Sequence, residues 1–134
     1  MGIDQRGMLR KLGRQNSFWR LVRSSENAIV ALMANDEVPE LVLPMRDVWI
    51  GGTRQNGIRP TVTLTDRQII VITYASRWRS AKYVTFNRSD IVHVSDYSGR
   101  AFEMTLANGT MLKMRGLIGD DKMPLRLYEL LSKE

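Results

Sequence analysis

The chain has 134 residues, the size of one ordinary domain and long enough to bury a single core. Hydrophobic residues are 43% and charged residues 25%, a globular balance that excludes wholesale disorder, and no apolar run approaches the roughly 20 residues of a membrane-spanning helix. The net charge is +6 and cysteine is absent, which excludes disulfides, thiolate metal sites and cysteine nucleophiles.

Residues 1–16 hold three glycines and few large apolar groups, and are expected to form a basic flexible arm. The first residues lack the apolar stretch of a secretory signal, and Arg6 stands where a myristoylation signal needs Ser or Thr. Residues 17–35 are predicted to be one amphipathic helix. Ser17 serves as N-cap, and Phe18, Leu21, Val22, Ile29, Leu32 and Met33 form the apolar stripe.

From Val38 the period becomes strand-like. The predicted strands are Pro39–Met45 and Asp47–Ile50, then Thr61–Leu64, Gln68–Tyr74, Lys82–Phe86, Ile91–Tyr97, Ala101–Leu106 and Thr110–Met114. Gly51-Gly52, Asn56-Gly57, Thr65-Asp66-Arg67 and Ser98-Gly99 mark turns, and Asn108-Gly109 is a hairpin signal. Ala75–Ala81 is a polar, basic loop. A closing helix begins near Asp120 or Asp121, with Pro124 in its first turn and Leu125, Leu127, Tyr128, Leu130 and Leu131 as its apolar residues. Serial strands with short connections pair antiparallel. The expected fold is mainly β with flanking helices: a small antiparallel barrel or sandwich of about seven strands, an N-terminal helix, and a C-terminal helix capping the open end.

Particular segments carry a family resemblance. Leu64-Thr65-Asp66-Arg67-Gln68-Ile69-Ile70-Val71-Ile72 is similar to the L-T-D-x-R-L-hydrophobic segment of short bacterial pleckstrin-homology-like (PH-like) domains, with Gln68 where that family often has Arg. Lys82–Phe86 followed by Ser89-Asp90-Ile91-Val92-His93-Val94 resembles a second segment, and Asn108-Gly109-Thr110 the penultimate hairpin. Asp36-Glu37-Val38 resembles the acidic approach to the first strand. The resemblance spans residues 30–133 and implies a domain over 36–134 that is a binding module rather than an enzyme. Relatives hold phosphoinositides or peptides, but the lipid signature of the first hairpin is not matched here.

Two basic sites stand out. Arg77-Trp78-Arg79 with Lys82 places guanidiniums around an indole, suited to phosphate oxygens or a protein pocket. The second lies in residues 1–23, which carry six cations against Asp4, a net +5 of the total +6. Its candidate contacts are Arg10, Lys11, Arg14, Trp19, Arg20 and Arg23. Trp49 is expected in the core or plugging the barrel rim, and His93 to face away from Val92 and Val94. Asp120 and Asp121 read better as a helix start than as a metal pair, and Met104, Met111 and Met114 as core filling.

No nucleophile–base–orienter set can be assembled, so neither catalysis nor a cofactor or metal is expected. The expected function is a cytoplasmic adaptor for protein–protein interaction, with the basic arm and loop contacting an acidic or anionic surface. The alternative is a peripheral protein at the inner membrane surface, binding anionic phospholipid headgroups. Nucleic-acid binding, prompted by a sequence pI of about 10.1, ranks third, beside a structural subunit of a viral or phage assembly. Exposed strand edges also permit a homo-oligomer.

Overall fold

In chain order, β1 (Pro39–Ile50) organises the sheet. The computed structural model describes residues 4–16, 19–55, 60–74 and 81–132, without the side chains of Leu21 and Tyr74. The first half of β1 pairs with β3 (Thr61–Thr65), Leu43 opposite Val62; its second half pairs with β8 (Met111–Gly116), Val48 opposite Met114. A register shift between Met45 and Asp47 lies where the strand passes from one partner to the other. β2 (Thr53–Arg54) folds back onto the end of β1 through Gly51 and Gly52, whose φ values of 58° and 85° suit glycine.

β4 (Gln68–Tyr74) and β5 (Lys82–Asn87) extend the sheet beyond β3, and β7 (Ala101–Leu106) and β6 (Ile91–Val94) extend it beyond β8. The order is β5-β4-β3-β1-β8-β7-β6, and every pairing is antiparallel. Asn108-Gly109 turns β7 into β8, with Gly109 at φ 88°. The sheet curls into a half-barrel whose outer strands, β5 and β6, each have one strand neighbour among the described residues.

Period-2 alternation decides which side chains enter the barrel. Leu41, Leu43 and Met45 of β1 meet Val62, Leu64, Ile69, Val71, Met104, Leu112 and Met114 inside it. Helix α4 (Met123–Ser132) closes the open end with Met123, Leu127 and Leu131. Its Tyr128 ring lies 5.6 Å from Tyr97 and 5.7 Å from Phe102. Asp120 Oδ1 accepts from the Met123 N–H at 3.2 Å, and Pro124 sits in the first turn as expected, but the helix begins at Met123 rather than at Asp120 or Asp121.

The opposite face of the same strands is also apolar. Val42 of β1 and Ile70 and Ile72 of β4 form a second cluster with Leu9, Val22, Ile29 and Met33. Here the structure corrects the reading of the N-terminus. Gln5–Gly13 is not part of a flexible arm but helix α1, with Asp4 Oδ1 accepting from the Gly7 N–H. Leu9 is only 3% exposed, a burial worth roughly 1.5–3 kcal/mol. Asn16 Nδ2 donates to the Val42 carbonyl at 2.8 Å, and Gln5 Nε2 to the carbonyls of Ala34 and Glu37. The physical reason is the outer face of β1 and β4, whose apolar side chains Val42, Ile70 and Ile72 must be buried.

The expected single helix over 17–35 is likewise divided, into α2 (Trp19–Arg23) and α3 (Glu26–Leu32). The break falls at Ser24-Ser25, where the Ser25 hydroxyl donates to Thr61 Oγ1 of β3. A buried serine that bonds the sheet fixes the chain direction there. Ser17, Phe18 and the Asn56-Gly57 turn lie outside the described residues.

Candidate functional site: a basic helical layer and a strand-edge groove

Helices α1, α2 and α3 bring most of the predicted cationic residues onto one layer. The arginines at 6, 10 and 14 recur every four residues and so share a face of α1 and its C-cap. Arg10 Nε lies 2.8 Å from Glu26 Oε1 of α3, and Arg6 Nη1 lies 2.6 Å from Asn27 Oδ1. The bond to Glu26 raises the Arg10 pKa further above its ordinary range, so this cation is permanent. On α2, the Arg23 guanidinium lies 5.7 Å from the Trp19 ring.

Between the three helices is a cleft of about 250 Å³. Leu9, Gly13, Val22 and Ile29 make its apolar floor, and Arg10, Arg14, Trp19, Arg23 and Glu26 its rim. Trp19 is 37% exposed. Glu26 is engaged by Arg6 and Arg10, whereas Lys11, Arg14, Arg20 and Arg23 make no ion pair among the described residues. Of the predicted set, Arg10, Arg14, Trp19 and Arg23 therefore meet at one cleft. Lys11 and Arg20 are exposed on the same helices without lining it.

Lys82 is exposed at the start of β5, and the neighbouring Ala81 packs against the cluster beneath the helices. Arg77, Trp78 and Arg79 lie outside the described residues. Glu26 and Gly13 were not singled out by the sequence. Glu26 becomes relevant only when α3 folds beside α1.

A second concavity was not foreseen. A groove of about 360 Å³ runs between edge strand β6 and α4, lined by Arg88, Ile91, Val92, His93, Val94, Tyr128, Leu131 and Ser132. Val92 is 63% exposed. His93 is exposed as expected, but Val92 is exposed with it rather than opposite. The register shift between Ile91 and His93 is the cause, because it breaks the alternation that would have turned Val92 inward. An apolar residue at that position was the only signal in the sequence.

Trp49 also corrects an expectation. It belongs to neither apolar cluster; it is half-buried on the outer face of the sheet, with Lys113 Nζ 5.1 Å and Arg115 Cζ 5.4 Å from its ring. Cross-strand pairing with β8 supplies those cations, an arrangement that a half-solvated indole accepts. Met104 and Met114 fill the core, while Met111 is exposed. Among the described residues no group of three or more acidic or histidine side chains could hold a metal ion, and no helix is long and apolar enough to cross a membrane.

No family model and no curated protein matches the sequence. Among solved structures, the Vps36 N-terminal PH domain is similar, with TM-score 0.59 and 13% identity over 76% of this chain and 81% of that one. At that identity the likeness establishes the fold, which is pleckstrin-homology-like.

Proposed function

We propose that this PH-like chain is a non-catalytic adaptor that binds a protein segment along β6 and turns its basic helical layer toward an acidic or anionic surface. The motif order from Leu64 to Thr110 supports a place among the short bacterial members of the fold. The observation that carries the binding role is the groove beside β6. An edge strand with one neighbour offers unpaired backbone groups, and an extended segment satisfies them by adding a strand. Val92 and Tyr128 then supply apolar contact beside that ladder, and Arg88 and His93 polar contact.

The test selects displayed extended peptides against the intact chain, then maps the winners by amide hydrogen exchange. Protection is expected in β6 and α4, and Val92→Lys should weaken binding about tenfold. Selection that yields no binder, or protection confined to other strands, overturns the reading.

A further inference from the structure

We infer that the cleft between α1, α2 and α3 receives the phosphate of an anionic lipid at a bilayer surface, with Trp19 seated at headgroup level. This rests on reading the helical layer as the face that meets an anionic surface, and it is a different site from the β6 groove. Three observations carry it. The rim is short of negative charge: Glu26 is occupied by Arg6 and Arg10, leaving Arg14 and Arg23 without a carboxylate among the described residues. Guanidinium forks match phosphate oxygens bidentately, which a lysine-rich rim would not.

The floor is apolar and open because Gly13 has no side chain. A Cβ there would meet only Val22 Cγ1, at 3.9 Å, so the space above the floor is free for the carbons next to a phosphate. The half-exposed indole of Trp19 is held beside Arg23 at the mouth, the placement that tryptophan takes at the boundary of headgroups and hydrocarbon. An acidic peptide fits less well. The cleft is lined by helix residues and has no strand edge, so an extended chain would find no ladder here, whereas β6 offers one.

The test is sedimentation of the full chain with vesicles of phosphatidylcholine alone and with added phosphatidic acid. Binding to the anionic vesicles only is expected, weakening with salt. Arg14→Gln/Arg23→Gln should weaken it about thirtyfold, the worth of two cations at an anionic leaflet. Gly13→Leu fills the cleft at unchanged net charge and should weaken it about tenfold; Trp19→Ala, which leaves the helix floor untouched, is the second variant should Gly13→Leu melt early. Lys113→Gln/Arg115→Gln removes equal charge from the Trp49 face and should leave binding intact.

Equal loss in that control, or undiminished binding by Gly13→Leu and Trp19→Ala, overturns the proposal. Capture of poly-glutamate but not of vesicles also overturns it and makes an acidic protein the occupant. Peptide binding at β6 should be indifferent to Gly13→Leu, which separates the failure of this inference from failure of the adaptor reading.

Discussion

The side-chain amide of Gln68 donates to the buried carboxylate of Glu37, its Nε2 lying 2.8 Å from Oε2 and 3.1 Å from Oε1. Glu37 is 2% exposed and also accepts from the Thr65 hydroxyl and from the Ala34 N–H. Gln68 Nε2 reaches the Leu32 carbonyl as well, Asp66 Oδ1 accepts from the Val38 N–H, and Arg67 pairs with Asp36 at 2.7 Å. The segment that carries the clearest family resemblance is thus a clamp. It fastens the β3–β4 turn to the link between α3 and β1, and so fastens the helical layer to the sheet. Its work is structural, and the departure to Gln68 supplies a neutral donor that bridges the carboxylate and a helix-end carbonyl.

Glu37→Ala should cost about 3 kcal/mol, because it removes the buried acceptor shared by the Thr65 hydroxyl, the Gln68 amide and the Ala34 N–H. Gln68→Ala should cost less, about 1.5 kcal/mol, since Thr65 and Ala34 still satisfy the carboxylate. Urea unfolding followed by circular dichroism gives both values. The reverse order would show that the clamp is not centred on Glu37.

Leu9→Ala should cost about 3 kcal/mol, as expected for truncating a fully buried leucine. Amide exchange should also quicken along α1, which an undocked arm would not show. A cost within about 0.5 kcal/mol, the range of ordinary surface substitutions, would return residues 4–16 to the arm first expected.

Gly116→Ala should cost about 1–3 kcal/mol by overpacking, since a Cβ there would fall 3.0 Å from Pro124 Cβ, against the ring that starts α4. Pro124→Ala in the same chain should recover most of the loss. A double-mutant cycle measures the coupling, and additivity would deny that the two touch.

Asp120 has its carboxyl pKa raised, chiefly by burial, with backbone hydrogen bonds from Met123 and Lys122 opposing. A carboxyl raised on folding binds its proton more tightly in the native state. Its contribution is present in full below the unfolded pKa of about 3.9 and is lost as pH rises through the folded value. Asp120→Asn keeps the acceptor for the Met123 N–H without the charge. It should melt higher than wild type near pH 7, and the gap should close as pH falls toward 4. Asp36, held below its ordinary range chiefly by the hydrogen bond from Arg67, acts with the opposite sign at an exposed site. Melting curves of wild type and Asp120→Asn across pH 3–8 check the sign; a gap that widens on acidification would be the contrary result.

Much of the sheet was legible because its signals are local. Gln68–Tyr74 was placed to the residue, and Ala101–Leu106 likewise, from alternation and flanking turns. The continuous apolar run Ile69–Ile72 carried a further message. A strand apolar on both faces is covered on both faces, by the barrel interior and here by helices. Of the residues that cover it, Val22 was placed on an apolar helix stripe, but Leu9 stands in a segment whose own pattern is sparse, so that part of the cover was read as an arm. The basic residues of the cleft were legible as a set, but not which of them meet.

The sequence alone determined a small antiparallel barrel or sandwich with a capping helix, and a positive charge gathered at one end of the chain. Both follow from side-chain period, turn chemistry and counting, which need no knowledge of distant residues. Tertiary structure decided that α1 docks, that Trp49 faces outward beneath Lys113 and Arg115, and that Arg14, Arg23 and Trp19 surround an apolar floor. Those outcomes depend on which sheet face is left bare and which helix covers it. That choice is settled by burying Val42, Ile70 and Ile72 of β1 and β4 against the helices, and no local pattern records which helix covers them.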